Sequence, residues 1–229
     1  MVITYTDGTS ETVVTDGSWT TAHVGPVMLG ELYQGEYYDA TADLSFRESG
    51  FDDSNWKQAE KMQSPTGIVC PQPCNGMRIQ KELKPKSIRR TEDGRIIIDM
   101  GQNMVGQVSV RLAGKKDTPV VIRHAEILEP NDSNRIFVAN LRSANCTDTY
   151  IPATDGVFTY QPQLTYQGFR YVEISGATST PKPSDITGYV IYDFMDDQGT
   201  FWCDNELLNQ LHQNAYWGII GNYHGMPTD

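Results

Sequence analysis

The feature that most constrains this chain is a period of two. Residues Gln107–Leu112 read QVSVRL, with Val108, Val110 and Leu112 on one face and Gln107, Ser109 and Arg111 on the other. Only an extended strand with one buried face segregates side chains in this way. Short runs rich in β-branched and aromatic residues recur at Arg95–Asp99, Val120–Ile127, Thr147–Ile151, Gly168–Ile174 and Ile186–Tyr192, punctuated by 20 glycines and 12 prolines. That is the pattern of many strands separated by turns, and it predicts a mainly β protein built of β-sandwich or jelly-roll domains. Val2–Thr6, Asp7-Gly8 and Glu11–Thr15 read as a hairpin whose Asp-Gly pair takes the positive φ angles of a type I′ turn.

The period changes once. After Asp204 as the expected N-cap, Leu207, Leu208, Leu211, Ala215 and Ile219 recur at helical spacing until Gly221 and Pro227. A lone amphipathic helix at the end of a β-rich chain reads as the start of a larger helical body. Two proline-bearing connectors, Met62–Met77 (Pro65, Pro71, Pro73) and Gly176–Asp185 (Pro181, Pro183), divide the chain in three.

With 18 Lys+Arg against 29 Asp+Glu, the formal charge is −11. Such a chain repels phosphate backbones and anionic lipid, which argues against nucleic-acid and membrane partners and favours neutral or polar ligands. No apolar run approaches the roughly 20 residues of a membrane-spanning helix, and Met1 leads straight into VITYT without the pattern of an export signal. Of the four cysteines, 70, 74, 146 and 203, only Cys70 and Cys74 form a close pair, and free thiols are expected there.

Candidate chemistry is sparse. Period two places His124 and Glu126 beside Val120 and Ile122, so a buried, hydrogen-bonded structural pair is expected there. Asp99–Gly106, DMGQNMVG, suits a tight turn between two strands. Aromatics beside polar groups are the usual platform for a sugar ring, and Trp19, Glu36, Tyr37 and Asp39 have that composition, although aromatics packing a sandwich core with their polar neighbours facing water is the stronger reading. No spacing among the 29 acidic residues singles out an acid–base pair.

These segments carry a resemblance. TYTDGT, TDGSW, GEYYDA, FDDSNW, DMGQNMVG, HAEIL, TDTY, LTYQGFRYVEISG, FWCDNELLNQL, NAYWGIIGN and MPTD, in that order, resemble bacterial α-L-rhamnosidases of glycoside hydrolase family 78. The family usually has His where Gln167 stands and Arg where Thr41 stands. The resemblance implies that residues 1–61 are the C-terminal part of an N-terminal sandwich, 62–76 a linker and 77–184 a second sandwich. Residues 185–229 would then lead into an (α/α)6 catalytic barrel. Truncation at both ends is therefore expected, and the general acid and base would lie beyond this sequence. Asp229 matches the family's acidic sugar-binding residue.

The implied function is hydrolysis of terminal α-L-rhamnosyl groups from a glycoside or polysaccharide, with inversion and without a cofactor. The chain alone would be inactive, the parent enzyme would lie in the periplasm or outside the cell, and dimerisation is left open. The rival reading is a non-catalytic carbohydrate-binding module in which Ca²⁺ bridges sugar hydroxyls to Glu36 and Asp39.

Overall fold

The computed structural model describes residues 1–64 and 66–228. Pro65, in the expected connector, and Asp229 lie outside the described residues. The strands are β1 (Val2–Thr4), β2 (Ser10–Thr12), β3 (Thr20–Thr21), β4 (Val27–Glu31), β5 (Gly35–Asp39), β6 (Lys57–Gln58), β7 (Met77–Leu83) and β8 (Ser87–Arg90). They continue with β9 (Ile96–Gly114), β10 (Val120–Ala125), β11 (Leu128–Glu129), β12 (Asp132–Ile136), β13 (Thr147–Ile151), β14 (Gly156–Tyr160), β15 (Gln167–Ser175) and β16 (Ile186–Asp193). Helix α1 (Glu206–Ile220) follows. Two compact units result: Met1–Pro26 with Ala42–Pro71, and Val27–Thr41 with the chain from Gln72 onward.

In the first unit β1 pairs with β2 and β3 with β6, and the Trp56 ring packs on Phe46 and Phe51. The β1–β2 hairpin forms as expected, but its turn differs. The Gly8 N–H donates to the Tyr5 carbonyl (3.0 Å) and the Tyr5 N–H to the Thr9 carbonyl (2.9 Å), with φ of 87° at Gly8. This is a three-residue loop ending in a glycine bulge. Asp7 keeps an ordinary φ because its carboxylate accepts from the Thr9 N–H (2.9 Å) and hydroxyl (2.7 Å), which closes the turn locally.

The second unit is organised around β9. The sheet order is β4-β5-β13-β10-β15-β9-β16-β7, with β8 and β14 also pairing to β9. The first part of β9 pairs with β8 and β15, and the second with β14 and β16. The exchange falls at Gly106, which faces both Gln167 and Val190. A Cβ at Gly106 would run into the Tyr189 carbonyl oxygen, so only glycine lets the strands approach this closely. Asp99–Gly106, expected as a turn, is therefore strand. Gly101 (φ 79°) absorbs the local irregularity while the Asp99 carboxylate accepts its N–H at 2.7 Å, and pairing continues with a register shift opposite Phe169–Tyr171.

The period-two faces close the core. Ile96, Ile98, Val108, Val110, Val120, Ile122, Phe169 and Ile174 are fully buried. His124 shares that buried face, but β10 ends at Ala125, and Glu126 is exposed and accepts from the Asn103 side-chain amide at 3.1 Å. The expected His124–Glu126 buried pair does not form, because the period of two stops one residue short of Glu126.

Helix α1 begins one residue later than expected: Asn205 is the cap and accepts from the N–H groups of Leu207 (3.0 Å) and Leu208 (3.4 Å). Its packed face is also different. Tyr216, Trp217 and Ile220 lie on the core, whereas Leu207, Leu208, Leu211, Ala215 and Ile219 are exposed, as are Phe201 and Trp202. The Lys81 ammonium explains the rotation of the helix. It donates to the Tyr216 hydroxyl (3.2 Å) and sits over the Tyr216 and Trp217 rings at 4.7 and 5.3 Å. Among the described residues no helix is long and apolar enough to cross a membrane.

Candidate functional site

On β5 the strand period separates the residues expected to meet a sugar. Glu36 is 1% exposed. Its Oε1 accepts from the Tyr160 hydroxyl (3.0 Å) and its Oε2 from the N–H groups of Gln163 (2.8 Å) and Leu164 (2.9 Å). Both oxygens are occupied, which corrects the reading of Glu36 as a surface sugar ligand. Asp39 accepts from the N–H (2.9 Å) and hydroxyl (2.7 Å) of Thr41. It lies three positions along the strand from Glu36, an odd step, so the two carboxylates face opposite sides of the strand and do not converge on one Ca²⁺. Among the described residues no group of three or more His, Cys, Asp or Glu is arranged to hold a metal ion. Tyr37 is exposed and lines a shallow groove with Arg123, Gln34, Thr147 and Thr149. Trp19, in the first unit, is exposed and donates its indole N–H to the Val14 carbonyl at 3.0 Å.

The buried partner of His124 is Asp148 on the neighbouring strand β13. The ring Nδ1 bonds to the Cys146 carbonyl (3.1 Å), and Nε2 lies 3.8 Å from Asp148 Oδ2. Asp148 Oδ1 accepts the Glu36 N–H at 2.9 Å. Burial pushes the Asp148 carboxyl above the usual range, opposed by the nearby His124 and by the Glu36 N–H. The same burial raises the Tyr160 hydroxyl. This network lies in the sheet interior, with Glu36, His124 and Asp148 all buried.

At the end of β16 the chemistry is arranged around a turn. After α1, residues Asn222–Thr228 fold back on themselves: Tyr223 and Pro227 form an antiparallel bridge, and the Thr228 N–H donates to the Asn222 carbonyl at 2.8 Å. The Asn222 amide donates to the Gly218 carbonyl at 2.9 Å, which ties the turn to the helix. Three bonds tie it to the sheet. The Asp193 N–H donates to the Tyr223 carbonyl (2.9 Å), the Asp193 carboxylate accepts the Gly225 N–H (2.6 Å), and His224 Nε2–H donates to the Ile191 carbonyl (2.9 Å). The Tyr166 ring stacks on His224 with centroids 4.6 Å apart. Burial holds His224 below the ordinary imidazole range, with the Ile191 bond and the Asp193 charge opposing. The residue that follows Thr228 in sequence is Asp229.

Three family models match the chain in succession. They are the α-L-rhamnosidase N-terminal domain over residues 1–81, the bacterial α-L-rhamnosidase concanavalin-like domain over 89–192, and the bacterial α-L-rhamnosidase 6 hairpin glycosidase domain over 196–229. The chain belongs to the α-L-rhamnosidase family. An α-L-rhamnosidase of Streptomyces avermitilis is 39% identical over 99% of this chain, and one of an Alteromonas species is 36% identical over 99%. The chain spans 22% and 25% of those relatives' lengths. Two solved structures are similar over 100% of the chain. One is the α-L-rhamnosidase of Dictyoglumus thermophilum, at 35% identity and TM-score 0.91, and the other is the S. avermitilis enzyme complexed with L-rhamnose, at 38% and 0.89. The chain covers 26% and 22% of those structures. The mainly β architecture expected from the strand pattern is borne out, and residues 89–192 match the concanavalin-like domain of the rhamnosidases.

Within this chain the two positions expected to depart from the family pattern have plain structural roles. The Gln167 amide, where His is usual, donates to the Leu32 carbonyl and the Thr165 hydroxyl, both at 3.1 Å. Thr41, where Arg is usual, closes the Asp39 turn. Sequence reasoning missed Asp193, His224 and Tyr166, which take on their roles only after β16 and the turn come together. The available signal was an acidic residue closing an apolar strand, Ile186–Asp193, and a glycine with positive φ (87°) at Gly225 to meet it. A larger cleft, of about 560 Å³, opens beside α1 and is lined by Lys81, Tyr192, Asp196, Asp197, His212 and Tyr216. Burial, and then the Tyr216 phenol, push the Tyr192 hydroxyl there up to about 12.

Proposed function

We propose that this chain supplies the β-rich domains and the first barrel helix of an enzyme that removes terminal α-L-rhamnosyl groups from a rhamnose-containing glycoside or polysaccharide in one inverting displacement. The observation that supports this most strongly is the succession of three rhamnosidase domain matches in chain order. Inversion needs a carboxylic acid to protonate the leaving oxygen and a carboxylate to activate water, roughly 6.5 to 9.5 Å apart. The carboxylates buried among the described residues have other work. Glu36 holds three donors, Glu173 pairs with Arg95 at 2.5 Å, Asp193 holds Gly225, and Asp148 faces His124. The acid and base are therefore assigned to the barrel, and Asp229 to substrate hydroxyls. A charge-assisted bond there contributes roughly 1.5 to 3 kcal/mol. The reaction takes water and two carboxyl groups, so the proposal includes no cofactor.

The test is turnover of a panel of aryl glycosides by the gene product that carries these residues. Preference for the α-L-rhamnoside supports the proposal, and preference for any other sugar overturns it. Asp229→Asn is expected to lower kcat/KM about ten- to a hundredfold without moving the limbs of the pH profile. A shifted basic limb would make Asp229 a titrating participant in the chemistry.

A further inference from the structure

The turn Asn222–Thr228 has more anchors than its length needs, and one anchor is unusual. Asp193 is 6% exposed; one carboxylate oxygen accepts the Gly225 N–H, while the other is buried without a hydrogen-bond partner among the described residues. A carboxylate half satisfied in the interior is costly, and an aliphatic or amide side chain would fill the same strand end more cheaply. What the carboxylate does achieve is geometric. Together with its own N–H on the Tyr223 carbonyl and with His224 on Ile191, it fixes the turn to Ile191 and Asp193 at the end of β16 through three bonds. Gly225 is the residue that allows the close approach, at 2.6 Å, by taking a φ of 87°.

We propose that Asp193 is a positioning residue of the sugar site: it holds Gly225, and so fixes the turn up to Thr228, from which the sequence continues to Asp229. This rests on the reading of Asp229 as a substrate contact. The β-sheet domain would then act in substrate affinity through one carboxylate, without touching the sugar. A contact displaced by about 1 Å loses much of its worth, up to about a hundredfold in rate. Asn at 193 retains an oxygen able to accept from Gly225, whereas Ala retains none.

The test is a double-mutant cycle in the rhamnosidase that carries these residues, read as KM and kcat on an aryl α-L-rhamnoside, with the melting temperature as a check on folding. Asp193→Ala is expected to raise KM about tenfold or more with kcat within a few fold, and Asp193→Asn to recover most of that loss. In an Asp229→Asn background, Asp193→Ala is expected to add less than about twofold, because it acts through the residue already removed. An undiminished effect in that background would overturn the proposal. So would a lowered melting temperature with unchanged KM, which is the behaviour of a purely structural anchor. Unchanged kcat/KM in Asp229→Asn alone would instead overturn the reading of Asp229. The hold on the turn is then judged by Gly225 amide exchange in the 229-residue chain. Exchange faster by about tenfold or more in Asp193→Ala supports it, and unchanged exchange overturns it.

Discussion

Replacing Glu36 by Gln decides whether its carboxylate belongs to the fold or to a ligand. Three donors converge on it, from Tyr160, Gln163 and Leu164, at 2.8 to 3.0 Å. Gln is nearly isosteric and can place its oxygen toward the two backbone N–H groups while its NH₂ donates to the Tyr160 oxygen, which reverses its role. What is lost is the charge. Bonds to a charged acceptor contribute about 1.5 to 3 kcal/mol each against about 0.5 to 1.5 for neutral ones, so three bonds forfeit roughly 2 to 4 kcal/mol. For a chain of this size that lowers the melting temperature by on the order of 5 to 15 °C. Glu36→Ala leaves all three donors without an acceptor and is expected to cost more still. The assay is urea denaturation followed by far-UV circular dichroism, which reports mainly the large sheet, with L-rhamnose titrated into each folded variant. A Glu36→Gln protein as stable as wild type but with weakened sugar binding would refute the structural assignment and return Glu36 to the surface of a site.

Arg170 clamps Asp99 through two bonds, at 2.8 and 3.0 Å, and the guanidinium holds the Asp99 carboxyl below its usual range against an opposing burial effect. The stability this confers is present above about pH 4 and is lost as pH falls through the lowered pKa. The gap in unfolding free energy between wild type and Arg170→Gln should therefore be full at neutral pH and shrink below about pH 4; a gap that widens in acid would contradict the assignment. Gly106→Ala drives a methyl group into the Tyr189 carbonyl where β9 changes neighbours, and a loss of several kcal/mol or failure to fold is expected; wild-type stability would show that the strands do not meet there. Because the carboxylates of Glu36 and Asp39 do not converge, added CaCl₂ or EDTA should leave the melting temperature of the chain unchanged. A calcium-dependent rise would restore the calcium-assisted module.

What could be read in the sequence was whatever repeats locally. The strands Val120–Ala125, Thr147–Ile151 and Ile186–Asp193 announce themselves because alternate positions share one solvent environment over several residues. The helix is equally legible in its period, but not in its orientation: nothing in Leu207, Leu208 and Leu211 reveals that Lys81, more than a hundred residues earlier, would draw Tyr216 and Trp217 onto the sheet. DMGQNMVG was misread because glycines that usually mark a turn here let one strand serve two sets of neighbours. The candidate site was legible only through motif resemblance. Glu36 looked exposed beside its tyrosines, and its donors come from residues 160–164; Asp193 and His224 acquire their roles only when β16 meets the turn.

The most direct test of the central claim is the anomeric configuration of the first product. The gene product that carries these residues is mixed with an aryl α-L-rhamnoside, and the released sugar is followed by proton NMR before mutarotation. A single inverting displacement predicts that β-L-rhamnose appears first and the α-anomer grows in later. Initial release of α-L-rhamnose, or release of no rhamnose at all, would contradict it.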